Sequence, residues 1–364
     1  MNLKLSWLTE LVLLLWHTES FKIEYNGDGP LTVPVNIDEK HHFHLLIDLY
    51  RPYSFVFSKK CAGNGTCSHS SHENYIDLKE YRKKGKIIPA VGFHDTHGIG
   101  HDFYGSLINI TAHSGELVDN LHLGVVEEGN SSLDFEYDGV LGLGLTNVKK
   151  VSLAFNTMER MEENVVVFRQ LSYKGLKNAN GEPAKLSRGE IHFGERKVQN
   201  CSSRVAYSPT VSRRKWSIIA DIKFNNKCHL NQRISFLPSH TTKISAQHFA
   251  NYFSATHFNS TNFLPNITLM LQEREFTITP ADYTQYFEGQ LDPYKVSIGM
   301  VDNEDHDFAV GVEFLRKYCL FLEIDDCMID ARIGLSENNG VGRFFEHLWV
   351  LTLVKMILLF LVLF

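Results

Sequence analysis

One acidic residue in this chain stands where it could act as a catalyst. Residues 43–48 are a mostly apolar run that ends in Asp48, and Leu49 and Tyr50 follow directly. A buried strand that ends in an acid carries the carboxylate into a turn, where the group can take or give a proton. What one carboxylate can do there depends on whether a second acid is close enough to share that proton.

The elements that position this acid are predicted to be mostly β-strands. Predicted strands cover residues 31–37, 43–48, 106–111, 189–194, 216–224, 266–271, 275–278 and 318–324. Helical periodicity is found in residues 151–158 and 245–253. These patterns predict a mostly β fold with few short helices, and a chain of 364 residues is long enough for two lobes.

Several segments resemble the pepsin-like aspartic proteases and occur in that family's order. The matching segments are residues 61–69 (a small disulfide loop), residues 138–144 (Asp-Gly-Val-Leu-Gly-Leu-Gly), residues 264–267 with 276–283 (ending in Pro-x-x-Tyr), and residues 314–321 with 332–335 (the C-terminal strand pair). The resemblance covers about residues 31–335. It implies a bilobal pepsin-like aspartic protease fold with a central cleft between the lobes.

The catalytic turns depart from the family's pattern. The family uses two aspartates, one from each lobe, each in an Asp-Thr/Ser-Gly turn, and the pair shares one proton. Here the first turn reads Asp48-Leu49-Tyr50, and the second turn is expected in residues 233–240. There the aspartate position is expected at Phe236, which cannot carry the chemistry, and the glycine position at Pro238. Asp48 is therefore interpreted as the remnant of a dyad in a catalytically degenerate member.

Three functions remain open on this interpretation. The first is a pseudoprotease that binds a peptide or protein in its interlobe cleft. The second is an atypical active aspartic endopeptidase that uses Asp48 with another acid, such as Asp102 or Asp134. The third is an extracellular adhesion or scaffold protein with a closed cleft. The residues expected to line the cleft are Tyr50, Phe55, Phe236 and Leu237.

The two ends of the chain predict passage through the secretory pathway. Residues 1–20 resemble a signal peptide, with small residues preceding a cleavage site before Phe21. Residues 338–364 end in an apolar tail, which is typical of a GPI-anchor signal; the alternative is a transmembrane helix. The N-terminal lobe is expected at residues 21–206 and the C-terminal lobe at residues 207–337. The predicted location is secreted or at the cell surface, anchored to the membrane by the tail.

Cysteines and glycosylation sequons agree with that compartment. Cys61 and Cys67 bracket a loop of turn-forming residues, which favours a disulfide bond. Cys319 and Cys327 are expected to face each other across a hairpin, which leaves Cys201 and Cys228 to pair by elimination. The asparagines in glycosylation sequons are Asn64, Asn109, Asn130, Asn200, Asn259 and Asn266.

Composition excludes other classes of function. The net charge is −6 with acidic and basic residues interspersed, so no basic patch for nucleic acid is expected. Among 18 histidines, His42 and His44 share one face of a predicted strand, but no third ligand is evident. No metal or cofactor is predicted, and a monomer is expected.

Overall fold

The computed structural model describes most of the chain between residues 20 and 339. The described ranges are residues 20–26, 31–37, 41–63, 75–83, 87–94, 102–114, 117–129, 137–145, 158, 161–171, 188–213, 215–253, 255–287, 289–301, 306–325 and 330–339. Apart from Ser20, the predicted signal peptide lies outside these ranges, and so does the apolar tail.

The described residues form mostly β-strands, which confirms the predicted class. The strands in the first part are β1 Phe21–Asn26, β2 Thr32–Ile37, β3 His41–Asp48, β4 Phe55–Phe57, β5 Ile87–His94, β6 Asp102–Ser114, β7 Leu117–Gly129, β8 Gly139–Gly142, β9 Val165–Gln170, β10 Arg188–Phe193 and β11 Ala206–Pro209. Those in the second part are β12 Ser217–Phe224, β13 Lys227–Phe236, β14 Lys243–Ile244, β15 His257–Phe258, β16 Ile267–Leu271, β17 Arg274–Ile278, β18 Thr284–Tyr286, β19 Tyr294–Val296, β20 Gly299–Met300, β21 Phe308–Val310, β22 Tyr318–Ile324 and β23 Ala331–Glu337.

Short helices connect some of these strands. They are α1 Lys59–Gly63, α2 Leu78–Lys83, α3 Ala246–Tyr252, α4 Pro280–Tyr283 and α5 Val312–Leu315. The prediction of a helix over residues 245–253 is confirmed, because Ser245 is the N-cap and its hydroxyl oxygen accepts a hydrogen bond from the His248 amide. Of the other predicted helix, residues 151–158, only Met158 lies within the described ranges.

Two large sheets contain most of the strands. The larger runs in the order β11-β23-β22-β9-β10-β1-β2-β3-β8-β4-β7-β6-β5, and the smaller in the order β17-β16-β12-β13-β21-β14-β20. Strands β22 and β23, near the end of the described chain, therefore join the sheet that contains the first strands. Strand β11 begins at the predicted lobe boundary of residue 206 and pairs with β23. The boundaries of the two lobes stay a prediction.

The same strand arrangement occurs once in each large sheet. In the larger sheet β3 is parallel to β8, β8 is antiparallel to β4, and β4 is parallel to β7. In the smaller sheet β13, β21, β14 and β20 repeat those three pairings in the same order and direction. Asp48 ends the first of these arrangements, and the expected second turn follows β13 in the other.

Candidate functional site

The two repeated arrangements define which residues occupy equivalent places. Both contain a glycine whose amide donates a hydrogen bond to a hydroxyl: Gly142 to Ser54 Oγ at 3.0 Å, and Gly311 to Thr242 Oγ1 at 3.1 Å. A Cβ atom at either glycine would clash with backbone atoms of the neighbouring turn, so a larger residue does not fit there. Gly142 and Gly311 are therefore equivalent positions in the two sheets.

The residues opposite these glycines occupy equivalent places in the two sheets. Asp48 pairs with Gly142 in the parallel ladder between β3 and β8. In the other sheet Phe236 pairs with Val310, so the next residue, Leu237, stands opposite Gly311. The expected position at Phe236 is therefore corrected by one residue to Leu237. The residue opposite Gly311 is thus apolar, whereas the residue opposite Gly142 is acidic.

Burial agrees with this assignment. Phe236 belongs to the main hydrophobic core, as does Ile47, which precedes Asp48. Leu237 instead packs with Tyr50 and Ala309 in a separate small cluster. Because side chains alternate between the faces of a strand, Phe236 corresponds to Ile47 and Leu237 corresponds to Asp48.

Asp48 is engaged by donors from its own turn. Its Oδ2 atom accepts a hydrogen bond from Arg51 Nη1 at 3.1 Å, and both side chains are buried, with 5% of Arg51 and 2% of Asp48 exposed. Its Oδ1 atom accepts from the backbone amides of Tyr50 at 2.6 Å and Arg51 at 3.2 Å. The arginine thus supplies the positive charge that compensates the carboxylate. In the family's dyad a shared proton plays that part.

Tyr50 connects this turn to the strands of the second arrangement. Its ring packs against Leu237 and Ala309, and only 6% of the residue is exposed. Its hydroxyl lies 3.3 Å from Nδ1 of the buried His306, and Lys215 Nζ lies 5.4 Å from the centre of its ring. The phenol therefore joins the two turns through apolar and aromatic contacts.

Two further contacts join the turns. The Ser239 hydroxyl donates to the carbonyl oxygen of Ile47 and lies 3.4 Å from that of Leu31. The indole nitrogen of the buried Trp216 donates to the carbonyl oxygen of Leu143 at 2.9 Å. Ser239 and Trp216 belong to the half that contains the smaller sheet, and the carbonyls that they bind belong to the half that contains the larger sheet. Side chains of the second half thus bind backbone of the first.

Not every residue expected to line a cleft is found at these turns. Tyr50 and Leu237 contact each other as expected for neighbouring residues at the site. Phe55, by contrast, is 1% exposed and packs in a separate core cluster, where its ring centre lies 5.5 Å from the Arg51 guanidinium. Phe236 is equally buried in the main core. Both phenylalanines are therefore core residues beside the site, and the expected cleft lining stays a prediction.

Two of the expected disulfide pairings are also wrong. Cys201 is bonded to Cys319, 118 residues further along the chain, and Cys228 is free and exposed. Cys319 lies at the end of β22 far from the β22–β23 turn, so it cannot face Cys327 across that turn. An isolated antiparallel β-bridge pairs the backbone of Cys201 with that of Asn338, which brings Cys201 beside this end of β22. Cys61 is disulfide-bonded; Cys67 and Cys327 lie outside the described residues.

The other sequence-predicted residues are only partly described. Of the sequon asparagines, Asn200, Asn259 and Asn266 are exposed, Asn109 is described only as backbone in β6, and Asn64 and Asn130 lie outside the described ranges. Asp102 begins β6, where its backbone pairs with His94, and Asp134 lies outside the described ranges. The use of either acid together with Asp48 therefore stays a prediction.

The described histidines and helices bear on metal binding and on membrane attachment. His42 and His44 are exposed on β3, and His42 Nδ1 lies 2.5 Å from Asn36 Oδ1. Among the described side chains no group of three potential ligands could hold a metal ion. Within those ranges, too, no helix is both long enough and apolar enough to cross a membrane.

The fold and the turns define a protein of the aspartic protease class. The sequence model of the eukaryotic aspartyl protease family matches residues 34–337, and the chain therefore belongs to that family. Members of the family are typically secreted or lysosomal. A comparison with curated proteins found no match.

Sequence reasoning missed the residues that change the character of the site. Arg51 was not singled out, although it follows Asp48 by three positions, a spacing at which side chains in a turn can meet. His306 and Ala309 gave no local signal, because only the parallel pairing of β13 with β21 brings their segment to Tyr50. The sequence shows that no aspartate occurs in residues 233–240. It does not show which of these residues stands opposite Gly311.

Proposed function

We propose that this protein is a non-proteolytic member of the aspartyl protease family that binds a peptide or protein between its two turns. The observation that carries the proposal is the buried ion pair of Asp48 with Arg51, at 3.1 Å. The family's chemistry needs two carboxyl groups that share a proton and activate a water molecule. Here one carboxylate is compensated by an arginine, and Leu237 stands in the place of the other.

The proposed location follows from the ends of the chain. A cleaved signal peptide, the exposed sequons and the disulfide bond between Cys201 and Cys319 support passage through the secretory pathway. The apolar tail supports attachment to the cell surface by a GPI anchor or by a transmembrane helix. The ligand would then be an extracellular peptide or protein, bound without cleavage.

The test is a cleavage assay on the full-length glycosylated protein. A pool of random peptides is incubated with it from about pH 3 to about pH 7, with and without pepstatin, and new termini are read by mass spectrometry. The expected result is no cleavage that differs between the wild type and Asp48→Asn. Pepstatin-sensitive cleavage that Asp48→Asn abolishes and the exposed control Asp292→Asn retains would show an atypical active endopeptidase instead.

A second candidate, a scaffold with a closed cleft, is favoured by one specific contact. Tyr50 packs on Leu237 and Ala309, and all three are at most 6% exposed. If this packing closes the site, the protein acts through its outer surface and not through the space between the turns.

Equilibrium binding of a random short-peptide library separates the two candidates. A peptide-binding protein should retain peptides, and Tyr50→Ala should change which peptides it retains. A closed scaffold should retain none as the wild type, and Tyr50→Ala should create binding because it empties the space above Leu237. Binding by the wild type that Tyr50→Ala leaves unchanged would argue against both assignments of this site.

A further inference from the structure

A pair of histidines lies away from the two turns, between helix α3 and the hairpin of β12 and β13. The ring centres of His229 on β13 and His248 on α3 are 4.2 Å apart. Phe224 of β12 stacks on Tyr252 of α3 at 4.3 Å and closes one side of the pair. The four rings all contact one another between α3 and the hairpin.

The hydrogen bonds of the pair define its neutral form. His248 Nε2 lies 3.1 Å from Gln232 Oε1, and an amide oxygen can only accept, so Nε2 carries the proton. His248 Nδ1 is buried and has no hydrogen-bond partner. His229 Nε2 lies 2.9 Å from the Tyr252 hydroxyl. Protonation of His248 would therefore create a buried N–H group with no acceptor, which is costly.

The charges around the pair also oppose protonation. Lys227 on β13 lowers the pKa of both rings, and His229 lowers that of His248; burial is the larger cause for each. Asp307, ahead of β21, acts in the opposite sense on His248. The Asp307 carboxylate also accepts a hydrogen bond from the backbone amide of Arg233 on β13, at 2.9 Å. The net direction of the pKa is downward for both histidines.

The remaining ionisable groups on the packed elements face other partners. Asp221 on β12 accepts from the Asn231 amide, and Lys223 on β12 pairs with Glu275 at 2.6 Å. Cys228 stands opposite Lys223 in the β12–β13 ladder. Strand β20, which also contacts α3, contains only Gly299 and Met300. Among the described residues, Asp307 is thus the acid that acts on the pair.

We propose that His229 and His248 form an acid-sensitive latch that holds α3 on the β12–β13 hairpin at neutral pH and releases it when the pH falls. The neutral pair packs, whereas a doubly protonated pair places two charges on adjacent rings beside Lys227. Because the opened state binds more protons, its population rises as the pH drops below about 6.5, the ordinary pKa of histidine. The Ser245 amide, at the start of α3, donates a hydrogen bond to the Asp307 carbonyl at 2.9 Å. Release of α3 therefore also affects the segment that contacts Tyr50.

Hydrogen exchange on the full chain tests the latch. Amide exchange of residues 246–252 is compared at about pH 7.5 and about pH 5.5, corrected for the intrinsic rate. The expected result is an opening population at least about tenfold higher at the lower pH. Tenfold is about the ceiling for one histidine that titrates only when α3 is open, and the second ring of the pair raises it. Strand β9 serves as the internal reference and should not respond, which separates local release from global unfolding.

Variants connect the response to the pair. His248→Phe keeps the aromatic packing without a titratable group and should remove the acid response, whereas the exposed control His257→Phe should keep it. If His248→Phe does not fold, His229→Phe provides the same comparison, and histidine NMR titration of the wild type needs no substitution. An acid response that persists in a folded His248→Phe or His229→Phe variant, or wild-type protein that shows none, would overturn the proposal.

Discussion

At the scale of single residues, Asp48 and Arg51 depend on each other. Removing two charges from water is costly, and a buried ion pair offsets that cost only while both partners are present. Asp48 also accepts from two backbone amides of its turn, which fixes the path of the chain toward Tyr50. In this molecule Asp48 therefore acts as a structural support for the turn.

This dependence predicts an unusual response to the standard inactivating substitution. Asp48→Asn should destabilise the protein by about 3 kcal/mol, because it removes the negative charge that pairs with the buried Arg51 guanidinium. Chemical denaturation monitored by circular dichroism measures the change. The exposed control Asp292→Asn should alter stability by less than about 0.5 kcal/mol.

The double variant Asp48→Asn/Arg51→Met completes the test. Since it removes both charges, it should recover at least half of the stability lost in Asp48→Asn. An Asp48→Asn variant as stable as the wild type would mean that the two groups are not a coupled buried pair.

The sequence predicted this site incompletely for a physical reason. A hydrophobic strand that ends in Asp48 is a local pattern, and so its delivery into a turn could be inferred. The position equivalent to Asp48 was predicted one residue too early, at Phe236. Only the pairing of β13 with β21 shows that Leu237 stands opposite Gly311. A shift of one residue exchanges the two faces of a strand, so Phe236 lies in the core and Leu237 at the site.

At the scale of elements, the sequence predicted individual strands and a helix correctly but did not predict which distant segments pair. The strand predicted over residues 318–324 is found at Tyr318–Ile324, and Ser245 caps the predicted helix. The disulfide bond of Cys319 was missed, because its partner Cys201 reaches it only through the pairing of β22 with β23. Spacing along the chain favoured the nearer cysteine, Cys327.

The disulfide bond predicts a large effect on stability. It closes a loop across a sequence separation of 118 residues, and a loop of that length restricts the unfolded chain strongly. The double variant Cys201→Ser/Cys319→Ser should therefore lose about 4 kcal/mol of unfolding free energy, measured in denaturant without reductant.

Cys228 provides the matched control for that prediction. Its thiol is free and exposed, so Cys228→Ser should change stability by less than about 0.5 kcal/mol. Equal losses from Cys228→Ser and from the double variant would contradict the pairing of Cys201 with Cys319.

A buried carboxylate joins three neighbouring strands in the larger sheet. Glu190 on β10 accepts from Lys22 on β1 at 2.9 Å and from Arg169 on β9 at 2.7 Å, and it lies 2.9 Å from His192 Nε2. Burial raises the pKa of Glu190, but the hydrogen bonds with Lys22 and His192 and the charge of Arg169 outweigh it, so the net shift is downward from 4.5. The ionised form is therefore favoured in the folded state.

This shift predicts how stability responds to acid. A carboxyl whose pKa is lower in the folded protein contributes stability at higher pH and loses it as the pH falls below about 4.5 toward the folded pKa. Glu190→Gln cannot titrate, so its melting temperature should fall less steeply than that of the wild type between about pH 4.5 and about pH 3. Parallel slopes for the two proteins would show that Glu190 does not contribute to acid unfolding.

At the scale of the whole molecule, both halves of the sequence contribute to shared structure. Strands β22 and β23 extend the sheet that contains β1 to β10, and the disulfide bond from Cys201 closes onto β22. Trp216, just before β12 of the smaller sheet, donates to the Leu143 carbonyl just after β8 of the larger one. The two sheets are therefore joined at the candidate site as well as along the chain.

These connections predict that the two sheets unfold in one cooperative step. Within the described ranges Trp216 is the only tryptophan, and its indole lies between the two sheets, so its fluorescence reports their contact. Circular dichroism reports the strands of both sheets. Denaturation curves from the two signals should coincide, because separation of the sheets would break the buried Trp216 contact and the packing of Tyr50 on Leu237 together. Subtracting the signal of Trp216→Phe isolates the fluorescence of this residue, and a Trp216 transition clearly ahead of the circular dichroism transition would show that the sheets separate before they unfold.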